Sequence, residues 1–265
     1  MESSREISPQ SVKGHRLIEL TEVTSTNKFL ELLMDKGSGE QGLIVVADYQ
    51  SEGRGMNGNS WTSEKGRNLL MSMLYFPENL LIQNQFYLSK CSALAVSKAI
   101  DRIVGAEMSK IKWPNDVFIN NKKTAGILIQ CSIKGENAQY SFLGIGVNLN
   151  QNTFSVENAT SLMSETGQKI EINEFLSYLV EELDIWLKVF AEGNFEQINS
   201  MYYKKLIGYQ QWLAYQKGTE KLIGKIIRIE DDGHLLMELK DGKQQRFAVK
   251  EISLVPAETN DRPTY

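Results

Sequence analysis

Two cysteines, Cys91 and Cys131, and two histidines, His15 and His234, are all that 265 residues offer for disulfide frameworks, Cys-type zinc sites or histidine-centred catalysis. Neither cysteine has a partner at metal-binding spacing, so those chemistries are excluded as organising features. No apolar run approaches the ~18 residues that a membrane-spanning helix needs. The polar stretch Met1–Lys13 lacks an apolar secretory core, which predicts a cytoplasmic protein. Basic charge is not in excess either: 29 Lys and Arg against 33 Asp and Glu give a net charge of −4, unlike a general nucleic-acid binder. With 42% hydrophobic and 23% charged residues the chain is not disordered. At about 150 residues per domain, its length predicts two domains or one large one with an appendage. No internal repeat or low-complexity tract interrupts it.

Hydrophobic periodicity then divides the chain. A helix is predicted from Ser25 or Thr26 as N-cap, with Leu30, Leu33 and Met34 apolar and Gly37 past its end. Short apolar runs over Leu43–Ala47 and Asn68–Phe76 read as strands, separated by a Gly-rich segment over Glu52–Gly66. Leu88, Cys91, Ala95, Ala99 and Ile103 recur at helical spacing. Strands follow over Lys110–Trp113, Asp116–Asn120, Thr124–Gln130 and Tyr140–Leu149, with Asn120-Asn121 suited to a hairpin turn because Asn tolerates positive φ. Helices are expected over Asn173–Phe190 and Asn194–Leu206. After Gly208, short strands over Leu222–Ile229, His234–Leu239, Gln244–Val249 and Ile252–Val255 alternate with Asp-Asp-Gly and Lys-Asp-Gly turns. The tail from Pro256 is polar and expected to fray. The pattern favours an α+β fold, a mixed or antiparallel sheet packed by helices, with a small C-terminal antiparallel β-barrel. The expected division is a short extension over 1–15, a catalytic-looking domain over 16–208 and a β module over 217–255.

Four stretches carry chemistry. In Gln50-Ser51-Glu52-Gly53-Arg54-Gly55-Met56-Asn57-Gly58-Asn59-Ser60-Trp61, glycines let backbone N–H groups approach an anion and Arg54 supplies charge; a surface loop is the bland alternative. It matches neither a Walker loop nor the dinucleotide glycine spacing. In Lys112-Trp113-Pro114-Asn115-Asp116, Pro114 pre-sets a turn presenting Asn115 and Asp116, which is also ordinary turn chemistry. Lys122 and Lys123 read either as a solvated hairpin tip or, for Lys123, as a cation aimed at developing negative charge. In Leu143-Gly144-Ile145-Gly146-Val147-Asn148, alternate glycines leave one strand face bare, for a flat ligand or for close packing. Asn148 offers both donor and acceptor.

In this order and spacing, with Ser25-Thr26-Asn27 ahead of them and Lys123-Thr124-Ala125-Gly126-Ile127-Leu128 among them, these stretches resemble the biotin protein ligases, the biotin–[acetyl-CoA-carboxylase] ligases, over residues 16–255. The resemblance implies a class II synthetase-like catalytic domain. It implies two steps: biotin and ATP form biotinyl-5′-AMP with Mg²⁺ screening the phosphates, and a lysine of a biotin carboxyl carrier domain then takes the biotin. It assigns biotin binding to Ser25, Thr26, Asn27, Gln50, Gly53, Arg54, Gly55, Met56, Lys123, Gly126 and Gly144. ATP binding falls to Arg54, Trp61, Asn115, Asp116, Lys123, Gly146 and Asn148, with Asp116 also proposed towards the metal. Lys123 and Arg54 are the catalytic candidates. Trp61 is expected to close over adenine, and residues 151–162 to form a second lid.

Two departures stand out. Many relatives carry arginines at the positions of Met56, Asn57 and Asn59, so the adenylate is expected to leak more readily here. Gln130 stands where an acid often occurs. Residues 1–15 are too short for a DNA-binding winged helix, so no DNA binding is expected, nor any membrane partner; whether the chain forms a homodimer is open. A lipoate–protein ligase and a non-catalytic biotin or nucleotide sensor are the competing readings.

Overall fold

The computed structural model describes residues 10–156 and 158–255, and of Asn57 the backbone alone. The expected fraying from Pro256 therefore falls outside the described residues. Eight strands form the main sheet: β1 (Gln10–Val12), β2 (His15–Leu20), β3 (Ile44–Ala47), β4 (Leu69–Tyr75), β5 (Ser109–Lys112), β6 (Asp116–Ile119), β7 (Lys122–Lys134) and β8 (Asn137–Val147). Their spatial order is β1-β2-β3-β4-β8-β7-β6-β5. The β2–β3 pair is parallel; the other neighbours run antiparallel. The mixed sheet packed by helices is as the sequence predicts. Within the short extension expected over 1–15, Gln10–Val12 pairs with His15–Leu17 as an edge of this sheet.

Side-chain alternation explains the layering. On β8, Leu143, Ile145 and Val147 join the large core, whereas Phe142 belongs to a smaller cluster on the opposite face. The large core packs against α2 (Phe86–Val104), α4 (Ile172–Ala191) and α5 (Phe195–Lys205). The opposite face takes α1 (Thr26–Asp35), whose Leu30 packs with Val45, Leu74 and Phe142. A short helix, α3 (Leu162–Thr166), is capped by the Ser161 hydroxyl, which accepts from Ser164 N–H at 3.2 Å. The β6–β7 turn has φ of 48° at Asn120 and 62° at Asn121, the left-handed pair that the Asn-Asn sequence predicts.

A second, antiparallel sheet follows: β9 (Leu213–Lys217), β10 (Glu220–Ile229), β11 (Leu235–Leu239), β12 (Gln244–Phe247) and β13 (Ser253–Leu254), in the order β12-β11-β10-β9-β13. It begins at Leu213, earlier than the expected 217, because Leu213–Lys217 pairs along β10. Nor does it close into the expected barrel: β12 and β13 are the two edges of the sheet, and β13 offers only Ser253 and Leu254 for pairing, both taken by β9. The two sheets share one core, in which Ile226, Ile229 and Leu235 join the residues of α2 and α5. Hydrogen bonds fix the junction. Trp113 Nε1 donates to Gly233 O at 2.9 Å and the Tyr87 hydroxyl to Asp231 Oδ1 at 3.0 Å. No helix among the described residues is long and apolar enough to cross a membrane.

Candidate active site

The α1 face of the main sheet carries a cavity of about 730 Å³. It exists because the cavity-side positions of β7 and β8 include Gly126, Gly144 and Gly146, and Gly126 and Gly146 stand opposite each other in register. A strip without side chains results. Part of it is covered already. A Cβ at Gly146 would lie 2.6 Å from the Trp61 ring and one at Gly126 2.9 Å from it, while one at Gly144 would meet Asn27 Oδ1 at 2.7 Å. The indole of Trp61 thus lies across the bare strands, with its Nε1 buried and without a hydrogen-bond partner among the described residues.

One end of the cavity is built from neutral polar groups, with Arg54 beside Ser25 and Asn27. Ser25 is the N-cap of α1, and Thr26 and Asn27 form its first turn. Gln50 Oε1 accepts from Thr26 N–H at 2.8 Å and lies 3.1 Å from Thr26 Oγ1. Ser72 of β4, completely buried, places its hydroxyl 2.7 Å from Thr26 Oγ1 and 2.6 Å from Asn27 Oδ1. Asn27 Nδ2 in turn donates to Gln130 Oε1 at 2.6 Å and to Leu128 O at 3.4 Å. Gln130 therefore has a defined job, holding the Asn27 amide, where an acid would do so with added charge.

The other end is charged. Lys123, at the start of β7, pairs with Asp116 at 2.6 Å, and its ammonium lies 5.5 Å from the Trp61 ring centroid. Backbone bonds from Lys123 N–H to Asn158 O at 2.7 Å and from Thr160 N–H to Lys123 O at 2.9 Å hold the lysine against the 158–160 segment. Lys122 is exposed to solvent, whereas Lys123 belongs to the cavity wall. Lys112 also lines this end; burial pushes its ammonium below the ordinary lysine range, with Lys123 pushing the same way and Asp116 opposing. Asn115 spends its amide on the scaffold, donating to Ile127 O at 2.7 Å. Asn148 donates to Thr160 O at 3.1 Å.

Of the sixteen residues singled out in the sequence, Gly53 alone is not in the cavity wall. Its carbonyl accepts from Trp61 N–H at 2.8 Å and a Cβ there would strike Trp61 O, so Gly53 shapes the loop that carries Trp61. Arg54, Lys123 and Asn148 face the same chamber. Sequence reasoning missed Lys112, which heads a stretch it had singled out, and Ser72. The signal for Ser72 was a lone hydroxyl inside the apolar run Leu-Leu-Met-Ser-Met-Leu-Tyr, since a buried polar group requires a partner. The expected second lid is represented by Gln151, Phe154–Val156, Asn158 and Ala159 in the wall, and Ser155 Oγ meets Thr62 Oγ1 at 3.2 Å.

As to a metal, no group of three or more His, Cys, Asp or Glu side chains gathers among the described residues. Asp116 is the one carboxylate among the residues of the cavity wall. One carboxylate together with substrate phosphates is the donor set that Mg²⁺ commonly takes, so the residues present fit such an ion.

Comparison with known proteins follows the same lines. Residues 18–148 match the model of the biotin/lipoate A/B protein ligase family. The bifunctional ligase/repressor BirA of Bacillus subtilis is 31% identical over 242 residues, 89% of this chain and 74% of that protein. The biotin–[acetyl-CoA-carboxylase] ligase of Paracoccus denitrificans is 31% identical over 207 residues, 76% of this chain and 85% of that one. Among solved structures, the biotin protein ligase from Aquifex aeolicus in complex with biotin and ATP superposes with a TM-score of 0.75 at 29% identity, covering 91% of this chain and 99% of that one.

Proposed function

The chain belongs to the biotin/lipoate A/B protein ligase family, and from that membership we propose that it is a biotin–[acetyl-CoA-carboxylase] ligase. It joins biotin to ATP as biotinyl-5′-AMP, releasing pyrophosphate, and then passes the biotin to a lysine of a biotin carboxyl carrier domain. The observation that carries this reading is the polarity of a single chamber: hydrogen-bonding groups of Thr26, Asn27 and Gln50 at one end, with Arg54 beside Ser25 and Asn27, and Lys123, Lys112 and Asp116 at the other. A cyclic urea is uncharged and rich in hydrogen-bonding groups, so it belongs at the first end. A carboxylate beside a nucleotide phosphate needs cations, so it belongs at the second.

The carboxylate of biotin attacks the α-phosphorus of ATP. Negative charge builds on the bridging and non-bridging oxygens, and Lys123 is placed to meet it. Little covalent chemistry falls on the protein, so positioning and fixed charge provide most of the rate. Arg54 and the backbone of Gly55 close over the intermediate, and Trp61 supplies an aromatic wall on which adenine stacks. Asp116 would hold Mg²⁺ together with the phosphates; the ion supplies screening of phosphate charge. In the second step the acceptor amine attacks the acyl carbon of the mixed anhydride and AMP leaves.

The decisive experiment incubates the protein with biotin, MgATP and an apo carrier domain. The expected result is biotin-dependent pyrophosphate release and a mass gain confined to the acceptor lysine. Release supported by lipoate and not by biotin would replace this reading with the lipoate one; no release with either would leave a sensor.

A further inference from the structure

The loop that carries Trp61 is bonded in two separate ways. Its tip closes on itself: Arg54 bridges Ser60, Gly55 N–H donates to Asn59 O at 2.7 Å and Asn59 N–H to Met56 O at 3.3 Å. The bond from Trp61 N–H to Gly53 O at 2.8 Å pinches this tip off at its neck. The limb that follows, residues 61–68, is bonded instead to the segment that leaves β8. Thr62 Oγ1 lies 3.2 Å from Ser155 Oγ, Gln151 Oε1 accepts from Glu64 N–H at 2.9 Å, and Asn68 Nδ2 donates to the same oxygen at 2.5 Å. The Thr153 hydroxyl donates to the Glu64 carboxylate.

Gln151 is the buried root of this ladder, and both ends of its amide are used. The oxygen holds two donors of the limb, and the nitrogen donates at 2.6 Å to the carbonyl of Thr153, the residue that reaches Glu64. Asn68, also buried, is fixed in turn by Leu149 N–H, which donates to its Oδ1 at 3.0 Å. A buried amide is costly to leave unpaired, so the clasp holds as a unit. The same segment reaches Lys123 at its far end, through the backbone bonds of Asn158 and Thr160. Residues 151–160 therefore form a strap between the two features of the nucleotide end, the Trp61 ring and the Lys123 ammonium, which lie 5.5 Å apart.

We infer that Gln151 is a positioning residue for the nucleotide: it fixes Trp61 from the strap, through Glu64 and Asn68, and leaves the loop tip with Arg54 to move on its own. Arg54 and Trp61 come from one loop and serve different ends of the chamber. Without the clasp, closing the tip over biotin would drag the adenine wall with it. With the clasp, the wall stands before ATP arrives and its place does not depend on the tip. This inference rests on the reading of Trp61 as the surface on which adenine stacks.

A double-mutant cycle on biotin-dependent pyrophosphate release separates the two. Trp61→Leu should raise the KM for ATP on its own account. Gln151→Met, similar in length and without the amide, should raise that KM about tenfold, the scale of one lost hydrogen bond, with kcat within about threefold of wild type. Its biotin Kd, measured by calorimetry without ATP, should stay within about twofold. In the Trp61→Leu background Gln151→Met should add less than about twofold, because the ring through which it acts is gone. If Gln151→Met leaves the KM for ATP unchanged, weakens biotin as much as ATP, or contributes its full factor on top of Trp61→Leu, the inference falls while the adenine reading stands. If Trp61→Leu leaves the KM for ATP unchanged, the adenine reading falls and the inference with it. Should Gln151→Met be too unstable to purify, Thr153→Val, at an exposed position, cuts the strap's bond to the Glu64 carboxylate. It should raise the same KM about threefold, and an unchanged KM would overturn the inference.

Discussion

Lys123 and Asp116 meet at 2.6 Å with roughly a third and a fifth of their side chains exposed, so the pair sits where water still screens it. Its contribution to stability is accordingly small, about 1 kcal/mol or less. In the proposed reaction the same ammonium is worth far more, because the negative charge on the bridging and non-bridging oxygens grows in the transition state. Lys123→Ala should thus lower biotin-dependent pyrophosphate release by about 10²–10³-fold while shifting the melting temperature by no more than about 4 °C. A large loss of stability with modest loss of rate would assign Lys123 to the scaffold. Met56 makes the complementary case. It lines the cavity at the turn Met56–Gly58, where the resemblance leads one to expect cations. Arg54, Lys112 and Lys123 are the basic side chains of the wall, so an adenylate here is held by few charges. Met56→Arg should lengthen retention of biotinyl-5′-AMP several-fold and cut streptavidin-detectable labelling of a bystander protein. Equal labelling by both proteins would show that this position does not govern escape.

At the scale of elements, the glycine strip and Trp61 form one device. Gly126 and Gly146 are opposed on β7 and β8, and the indole fills the space a side chain would take. A methyl group at Gly146 would sit 2.6 Å from a rigid ring, which must move away as a body. Gly146→Ala should raise the KM for ATP about tenfold with much less effect on biotin binding, whose neutral end lies beside Gly144. Equal loss for both substrates would mean that the strip serves packing alone. The strip was legible in the sequence as alternate glycines on a strand; what covers it was not, because Trp61 arrives from a loop more than 60 positions before Gly126. Helices α1, α2, α4 and α5 were legible from their apolar stripes and from Gly37 and Asn194 at their ends. By contrast, Gln10–Val12 and Leu213–Lys217 have no strong alternation and are strands because a partner lies alongside. The unclosed second sheet was equally unreadable, since closure depends on how far β13 reaches and not on any residue type. Ser72 was passed over because its surroundings are apolar in sequence, although polar oxygens converge on it in space.

The molecule as a whole depends on the seam between α2, α5 and the second sheet. Trp113 ties the turn carrying Asn115 and Asp116 to Gly233 of the β10–β11 turn, so the charged end of the cavity is braced by the C-terminal sheet. Beneath this seam Lys90 is completely buried, donating to Asn199 Oδ1 at 2.8 Å and lying 4.4 Å from the Tyr87 ring centroid. Burial lowers its pKa to about 8, opposed by the nearby Asp231 and Cys91. The unfolded chain keeps this lysine protonated to above pH 10, so between the two values it binds more protons than the native protein, and stability must rise with pH across that window. Below pH 8 the native protein carries the buried charge and its full cost. Replacing Lys90 by Met removes the titration and leaves a side chain of similar length. The stability of wild type relative to Lys90→Met, from urea unfolding at pH 7.0 and at 9.5, should therefore increase by about 2 kcal/mol over that interval. Tyrosines begin to ionise in the unfolded chain near pH 9.5 while burial pushes the Tyr87 pKa up to about 12 in the folded one, but this contribution is common to both proteins and cancels in the comparison with Lys90→Met. If the two proteins follow parallel stability curves, Lys90 titrates in the folded protein as it does in water, and the seam is open enough for solvent to reach it.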